Sequence, residues 1–327
     1  MKVSILIGDA RERLKELPDA SVNCCVTSPP YFGLRDYGCD GQMGLEATPD
    51  EFVAGMVALF REVRRVLRDD GTLWLNLGDS YNAAGRTGHG TRTGFKQATN
   101  RASSNGSDSA RPNVASLKEK DLIGIPWRVA FALQADGWYL RQDIIWSKPN
   151  PMPESVRDRC TKAHEYVFLL SKGPRYYFDA GAIAEACESG ESDLRKMREQ
   201  KPRIGGKHKT LVDPLSMASS ATNIGQKRSV GNGESRNKRS VWTVATQPFS
   251  EAHFATFPPA LIEPCILAGC PTGGTVLDPF GGAGTTGLVA DRLSRNATLI
   301  ELNPEYATIA KRRIYGDAGM FTEVIED

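Results

Sequence analysis

The run Val22-Asn23-Cys24-Cys25-Val26-Thr27-Ser28-Pro29-Pro30-Tyr31 begins as a buried strand and ends in a loop that a strand cannot enter. Its apolar half, Val22 to Val26, has the length and content of a strand inside a sheet. Two successive prolines then remove backbone donors and fix φ, so the chain stiffens at the strand's carboxyl edge. Open α/β sheets bind their ligands at that edge. The loop offers the Ser28 hydroxyl, carbonyls with no competing local N–H, and the Tyr31 ring. Such a set suits a planar base bearing an amino group. For five residues taken alone, a Pro-rich turn between strand and helix is the plainer alternative.

A second motif lies far down the chain, at Thr275-Val276-Leu277-Asp278-Pro279-Phe280-Gly281-Gly282-Ala283-Gly284-Thr285-Thr286-Gly287. A strand ends in an acid, a glycine-rich turn follows, and a helix is expected over Thr286 to Leu293. Glycines let backbone approach a ligand closely, and a helix N-terminus favours a negative group. The spacing does not fit a dinucleotide fingerprint, and the Lys-Ser/Thr ending of a phosphate loop is missing. One strand later, Thr298-Leu299-Ile300-Glu301 places an acid where it can accept hydrogen bonds from ribose hydroxyls; a solvated strand-end acid is the alternative.

Between these motifs the pattern is regular. Strands are expected at Met1 to Ile7, Val22 to Val26, Thr72 to Leu77, Thr275 to Leu277 and Thr298 to Glu301. Helices are expected at Arg11 to Leu17, Asp50 to Leu67, Pro126 to Asp136, Pro258 to Ala268 and Pro304 to Ile314. The second of these carries Phe52, Met56, Leu59, Phe60, Val63 and Leu67 at helical spacing. Tyr139 to Trp146 and Glu165 to Ser171 suggest an antiparallel pair at the sheet edge. Alternation of strands and helices implies a mostly parallel sheet in three layers.

Taken together, these residues resemble the S-adenosylmethionine-dependent DNA amino-methyltransferases. Ser28-Pro29-Pro30-Tyr31 is similar to their catalytic box, and Asp278 to Thr286 to their cofactor loop. The box precedes the loop, which resembles the circularly permuted beta class. Gly8-Asp9-Ala10 resembles the motif whose acid meets the cofactor's adenine. Gly71 to Asp79, the run from Ile144 through Lys148-Pro149-Asn150-Pro151 to His164-Glu165, and His253 to Leu267 resemble further core motifs. The resemblance implies a Rossmann-like α/β methyltransferase sheet with a catalytic half at residues 1–81, continued at 121–182, and a cofactor half at 246–327. It implies a target-recognition region at 183–245, while the composition of 82–120 is read as a mobile polar DNA-binding loop, with a merely flexible surface loop as the alternative. Cofactor contacts are expected at Asp9, Asp278, Phe280, Gly281, Gly282, Gly284, Thr285, Thr286 and Glu301.

Composition bounds the rest. The chain has 327 residues, 40% hydrophobic, with a formal net charge of +2. That length suits one large α/β domain with an insertion, or two domains. No apolar run reaches membrane-spanning length, and Met1 to Ile7 is too short for a secretory signal. The seven cysteines form no Cys-x-x-Cys pair, so neither zinc nor a disulfide framework is expected, and a cytoplasmic location is. The charge is unevenly spread. Arg195 to Arg239 holds twelve Lys or Arg against three acids, a balance of +9 that leaves −7 for the remainder. Such a stretch, including Lys207, Lys209, Lys227, Arg228, Lys238 and Arg239, is read as a docking surface for phosphates. A solvated insertion is the competing reading. Asn82 to Asn113 is rich in Gly, Ser, Thr and Asn and carries Arg86, Arg92, Lys96 and Arg101, which suggests a loop closing over DNA.

The chemistry implied by the resemblance is methylation of an exocyclic amine on a base flipped from the duplex. Ser28 and the Pro29 carbonyl would accept the amine hydrogens, and Tyr31 would stack on the base. Ser in the first position is associated with cytosine, Asp or Asn with adenine. Ser-containing boxes also occur among permuted adenine enzymes, the larger group, so the expectation leans to adenine N6, with cytosine N4 as the alternative. A homodimer is expected, and a companion restriction endonuclease and an orphan role both stay open. A DNA-binding protein with an inactive methyltransferase fold is the alternative of another class.

Overall fold

The computed structural model describes residues 1–34, 38–82, 114–186, 235–247, 256–317 and 323–327. The first half contains β1 (Lys2–Ile7), α1 (Ala10–Glu16), β2 (Val22–Thr27), α2 (Pro49–Val66), β3 (Leu67–Leu77), α3 (Ile125–Ala135), β4 (Tyr139–Ser147) and β5 (His164–Ser171). After the short strands β6 (Glu185–Ala186), β7 (Ser235–Arg236) and β8 (Val241–Thr243) come α4 (Pro259–Gly269) and β9 (Thr275–Asp278). The chain ends with α5 (Thr285–Arg292), β10 (Asn296–Glu301), α6 (Pro304–Asp317) and β11 (Glu323–Glu326).

Nine strands form one sheet in the order β11-β1-β10-β9-β2-β3-β5-β4-β8. All neighbours are parallel except β5, which runs against both β3 and β4. The antiparallel pair matches the sequence expectation, but β4 is not the edge. The three-residue β8 pairs with it in parallel, and β11 covers β1 at the opposite edge. The decisive adjacency is β2 beside β9, with Cys24 opposite Val276 and Cys25 opposite Leu277. It brings the proline loop and the glycine loop to the same end of the sheet, although Thr27 and Asp278 are 251 residues apart in sequence.

Side chains alternate between the two faces of the sheet. Cys25, Leu73, Leu75, Leu77, Leu277 and Phe168 join one buried cluster with α1, α2 and α3. Helix α2 enters it because Thr48-Pro49-Asp50-Glu51 forms a capping box with proline in the first turn, and Phe52, Met56, Leu59, Phe60 and Val63 are all buried. The other face meets the C-terminal helices. Gly269 at the end of α4 lies against Trp74, Thr72 and Cys24, and Gly287 of α5 against Leu299 and Val3. Burial pushes the Cys24 and Cys25 thiols far above their usual pKa, so both behave as small apolar residues.

Residues 1–179 and 239–327 make one compact unit and 180–238 a second. In the second, β6 pairs antiparallel with β7, and Glu185 faces Arg236 at 3.4 Å and Lys238 at 4.0 Å. Arg86, Arg92, Lys96, Arg101, Lys207, Lys209, Lys227 and Arg228 lie outside the described residues. Among the described residues no helix is long and apolar enough to cross a membrane, and no group of His, Cys, Asp and Glu is placed to hold a metal ion.

Candidate active site

The carboxyl ends of β1, β2, β3, β9 and β10 open into a cavity of about 1430 Å³. A single small-molecule site occupies roughly 300–1,000 Å³, so this space exceeds that of one such site. One wall holds Ser28, Pro29, Pro30 and Tyr31; another holds Asp9, Phe280, Gly281, Gly282, Thr285 and Glu301.

The box is rigid for reasons beyond its prolines. The Tyr31 hydroxyl donates to Glu165 Oε2 at 2.7 Å and lies 3.2 Å from Asn76 Oδ1, a second acceptor. Asn76 Nδ2 donates in turn to the Tyr166 carbonyl at 3.0 Å, and Lys148 forms an ion pair with Glu165. Lys148 also lies 4.2 Å from the centre of the Trp146 ring. Residues from β3 and β5 thus hold one phenol, and Lys148, just past β4, pairs with one of them. The ring edge presses on Gly78, where any side chain would collide with it. Ser28 donates to the Tyr31 oxygen at 3.4 Å, which leaves its own lone pairs for an incoming amine. Phe32, by contrast, is buried in the core against Phe52 rather than in the cavity.

At the other wall the carboxylates divide. Glu301 Oε2 accepts from the Gly282 amide at 2.7 Å and Oε1 from the Asn303 amide at 2.9 Å. Burial holds its carboxyl above the usual range against these hydrogen bonds. Each oxygen keeps a lone pair for a hydroxyl donor. Asp9 sits one strand away, because Ile7 of β1 pairs with Glu301 of β10. It caps α1, and its pairing with Arg11 lowers its pKa. Asp278 is placed differently from the sequence expectation. Its carboxylate is buried and does not line the cavity; it accepts from Thr27 Oγ1 and Thr286 Oγ1, both at 2.6 Å, and from the Phe280 amide at 3.0 Å. It ties β2 to the glycine loop. Gly284, at φ +78°, lies against Ala310 of α6, and neither it nor buried Thr286 lines the cavity. The acid at a strand end looks the same in sequence whichever way it points.

The polar segment begins at Asn82, five residues after the end of β3 at Leu77. Asn82 gathers both of its ends, accepting from the Val114 amide at 2.7 Å and donating to the Leu117 carbonyl at 3.0 Å. Asp79 holds the start of α3 through the Gly124 and Ile125 amides, and its own carbonyl receives Lys162 Nζ at 3.0 Å. Burial lowers the Lys162 pKa. Asn76, Gly78 and the Lys148–Glu165 pair are the site residues that sequence reasoning does not single out by role. The only signal is their place in the runs at Gly71 to Asp79 and Ile144 to Glu165.

A family model described as DNA methylase matches residues 22–312. The type II methyltransferase M.SmaI of Serratia marcescens is 46% identical over 310 residues, covering 95% of this chain and 90% of the relative. M.Cfr9I of Citrobacter freundii, also a type II methyltransferase, is 47% identical over 311 residues, covering 95% and 87%. Two solved structures share the fold. PvuII DNA methyltransferase, cytosine-N4-specific, has a TM-score of 0.59 at 19% identity over 94% of this chain and 86% of its own. A candidate DNA modification methylase from Thermus thermophilus, solved with S-adenosyl-L-methionine, has a TM-score of 0.57 at 23% identity over 99% of both chains.

Proposed function

The chain belongs to the N6/N4 DNA methylase family, and we propose that it methylates the exocyclic amine of a base flipped out of duplex DNA. The observation that carries the proposal is the meeting of the Ser28–Tyr31 box with Asp9 and Glu301 around one cavity larger than a single small-molecule site. The cofactor, S-adenosyl-L-methionine, supplies a methyl group already activated on a sulfonium. Glu301 and Asp9 fit its hydroxyl and amine donors, and the Gly281–Gly282 backbone lets a ligand approach closely.

The protein's task is then the amine, whose lone pair is delocalised into the ring. Ser28 Oγ and the Pro29 carbonyl accept its two hydrogens and turn the lone pair toward the methyl group. Tyr31, clamped by Glu165 and Asn76, fixes the plane of the base. Holding reacting groups in line in this way supplies much of the rate. We take cytosine N4 as the target. Ser28 offers a hydroxyl acceptor where the adenine form of the box carries Asp or Asn, and one solved fold relative is named cytosine-N4-specific. The sequence lean to adenine N6 rests on the larger size of that group and on Ser-containing boxes among its permuted members.

The segment closing on Asn82 and the +9 stretch from Arg195 to Arg239 are assigned to the DNA phosphates and to target recognition. A homodimer and a cytoplasmic location belong to the same proposal. The type II names of the relatives support a role beside a restriction endonuclease. Incubation with methyl-labelled cofactor and duplex DNA, duplex RNA or no nucleic acid tests the reading. Label should enter duplex DNA only, and Ser28→Ala should stop it without weakening cofactor binding. Unchanged transfer by Ser28→Ala removes the box from the mechanism.

A further inference from the structure

Lys148-Pro149-Asn150-Pro151-Met152-Pro153-Glu154 runs along the rim of the cavity that holds Ser28 and Tyr31. Met152 is 84% exposed, more than any other large hydrophobic side chain among the described residues. Single exposed apolar residues are ordinary on a protein surface. This one differs in what supports it. Three prolines, at 149, 151 and 153, fix φ around it. Asn150 Nδ2 donates to the Thr246 carbonyl at 3.2 Å, and the Thr246 amide donates to Asn150 Oδ1 at 2.9 Å. The Lys148 amide donates to the Ala163 carbonyl at 2.8 Å. On the far side, Glu154 Oε2 accepts from Arg159 at 2.7 Å and from the Lys162 amide at 3.1 Å, while Arg159 lies 4.0 Å over the Tyr81 ring. A pinned, proline-stiffened loop therefore presents a solvated thioether beside the catalytic box.

That placement answers a physical need. A base that reaches Ser28 leaves a gap in the duplex, and its unstacking opposes flipping. Apolar side chains, methionine among them, insert between base steps in other DNA complexes, and one placed in the gap regains apolar contact with the flanking bases. Methionine is unbranched and adapts to irregular gaps. We propose that Met152 enters the base stack and fills the space that the flipped base vacates. The inference rests on duplex DNA being the substrate, as proposed above.

The test is single-turnover methylation of two duplexes carrying the methylated site once sequencing has located it: one fully paired, one with the target base mismatched. A mismatch lowers the cost of flipping. Met152→Ala should slow transfer to the paired duplex by roughly tenfold or more, and the mismatch should restore most of the loss. Met152→Leu should keep the rate, and cofactor affinity should be unchanged in both variants. Because the side chain is exposed, both should melt at the wild-type temperature. A wild-type rate for Met152→Ala on the paired duplex overturns the inference, and so does an equal loss on both duplexes, which marks a generic DNA contact. If the wild-type enzyme transfers nothing to duplex DNA while Met152→Ala matches it in every other respect, the functional reading itself has failed and the wedge with it.

Discussion

Gly78→Ala is the sharpest single perturbation of the Ser28–Tyr31 box, to which we assign catalysis. A Cβ at this position falls nearest to Cε2 of Tyr31, 2.8 Å from its Cδ2 and 3.2 Å from its Cζ. Carbon atoms rest at about 3.5–4.0 Å from one another, so the ring must retreat by about 1 Å. It has no free direction in which to do so, since its hydroxyl is held by Glu165 at 2.7 Å and by Asn76. A misplacement of that size at a reacting centre costs about a hundredfold in rate. The glycine is not at positive φ, so the backbone itself is unstrained, and the overlap with the ring should lower stability by about 1–3 kcal/mol. Single-turnover methylation should therefore fall about a hundredfold while calorimetric cofactor affinity stays at the wild-type value. In a Tyr31→Ala background the same substitution should cost nothing further, because the clash has gone. A wild-type rate for Gly78→Ala, or an equal loss in the Tyr31→Ala background, refutes the argument that Gly78 exists to seat the ring.

Three further outcomes follow from the cavity walls and the charge distribution. Asp278→Asn replaces an acceptor of three hydrogen bonds with a group that must point a donor at one of them; stability should fall by about 1.5–3 kcal/mol in chemical denaturation, and an unchanged midpoint contradicts the assigned tether. Glu301 has a folded pKa raised by burial, so its contribution to stability is full below the unfolded value of about 4.3 and is lost as pH rises through the folded one. Glu301→Gln removes that titration, and the variant should lose less stability than wild type as pH rises above the unfolded value in urea unfolding; identical slopes count against the buried assignment. Replacing Lys227, Arg228, Lys238 and Arg239 with glutamine should lower the log–log salt slope of DNA binding by about 0.9 for every phosphate that is no longer neutralised, whereas an unaltered slope places the phosphate-binding residues elsewhere.

The parts of the site that are legible in the sequence are those where local chemistry forces geometry. Pro29 and Pro30 stop β2 at the edge where ligands bind, and Glu301 ends a strand whose partner β1 leads into Asp9. The clamp on Tyr31 is not legible in the same way. Asn76 and Glu165 are 89 residues apart and meet only because β5 turns back along β3, a pairing that leaves no local mark. Asp278 shows the converse. A strand-end acid before glycines suggests a ligand, yet Thr27 and Thr286 draw it inward, and hydroxyl partners at separations of 251 and 8 residues carry no joint signal. The strands β8 and β11, with three and four residues, are too short for a period to register.

The central claim is methyl transfer to a base amine at the Ser28–Tyr31 box. Duplex DNA treated with the protein and S-adenosyl-L-methionine, then digested to nucleosides and separated by mass spectrometry, tests it most directly. N4-methylcytosine should appear with wild type and vanish with Ser28→Ala. N6-methyladenine in its place would keep the chemistry and overturn the base; 5-methylcytosine, or no methylated nucleoside from a protein that binds the cofactor, would contradict the account.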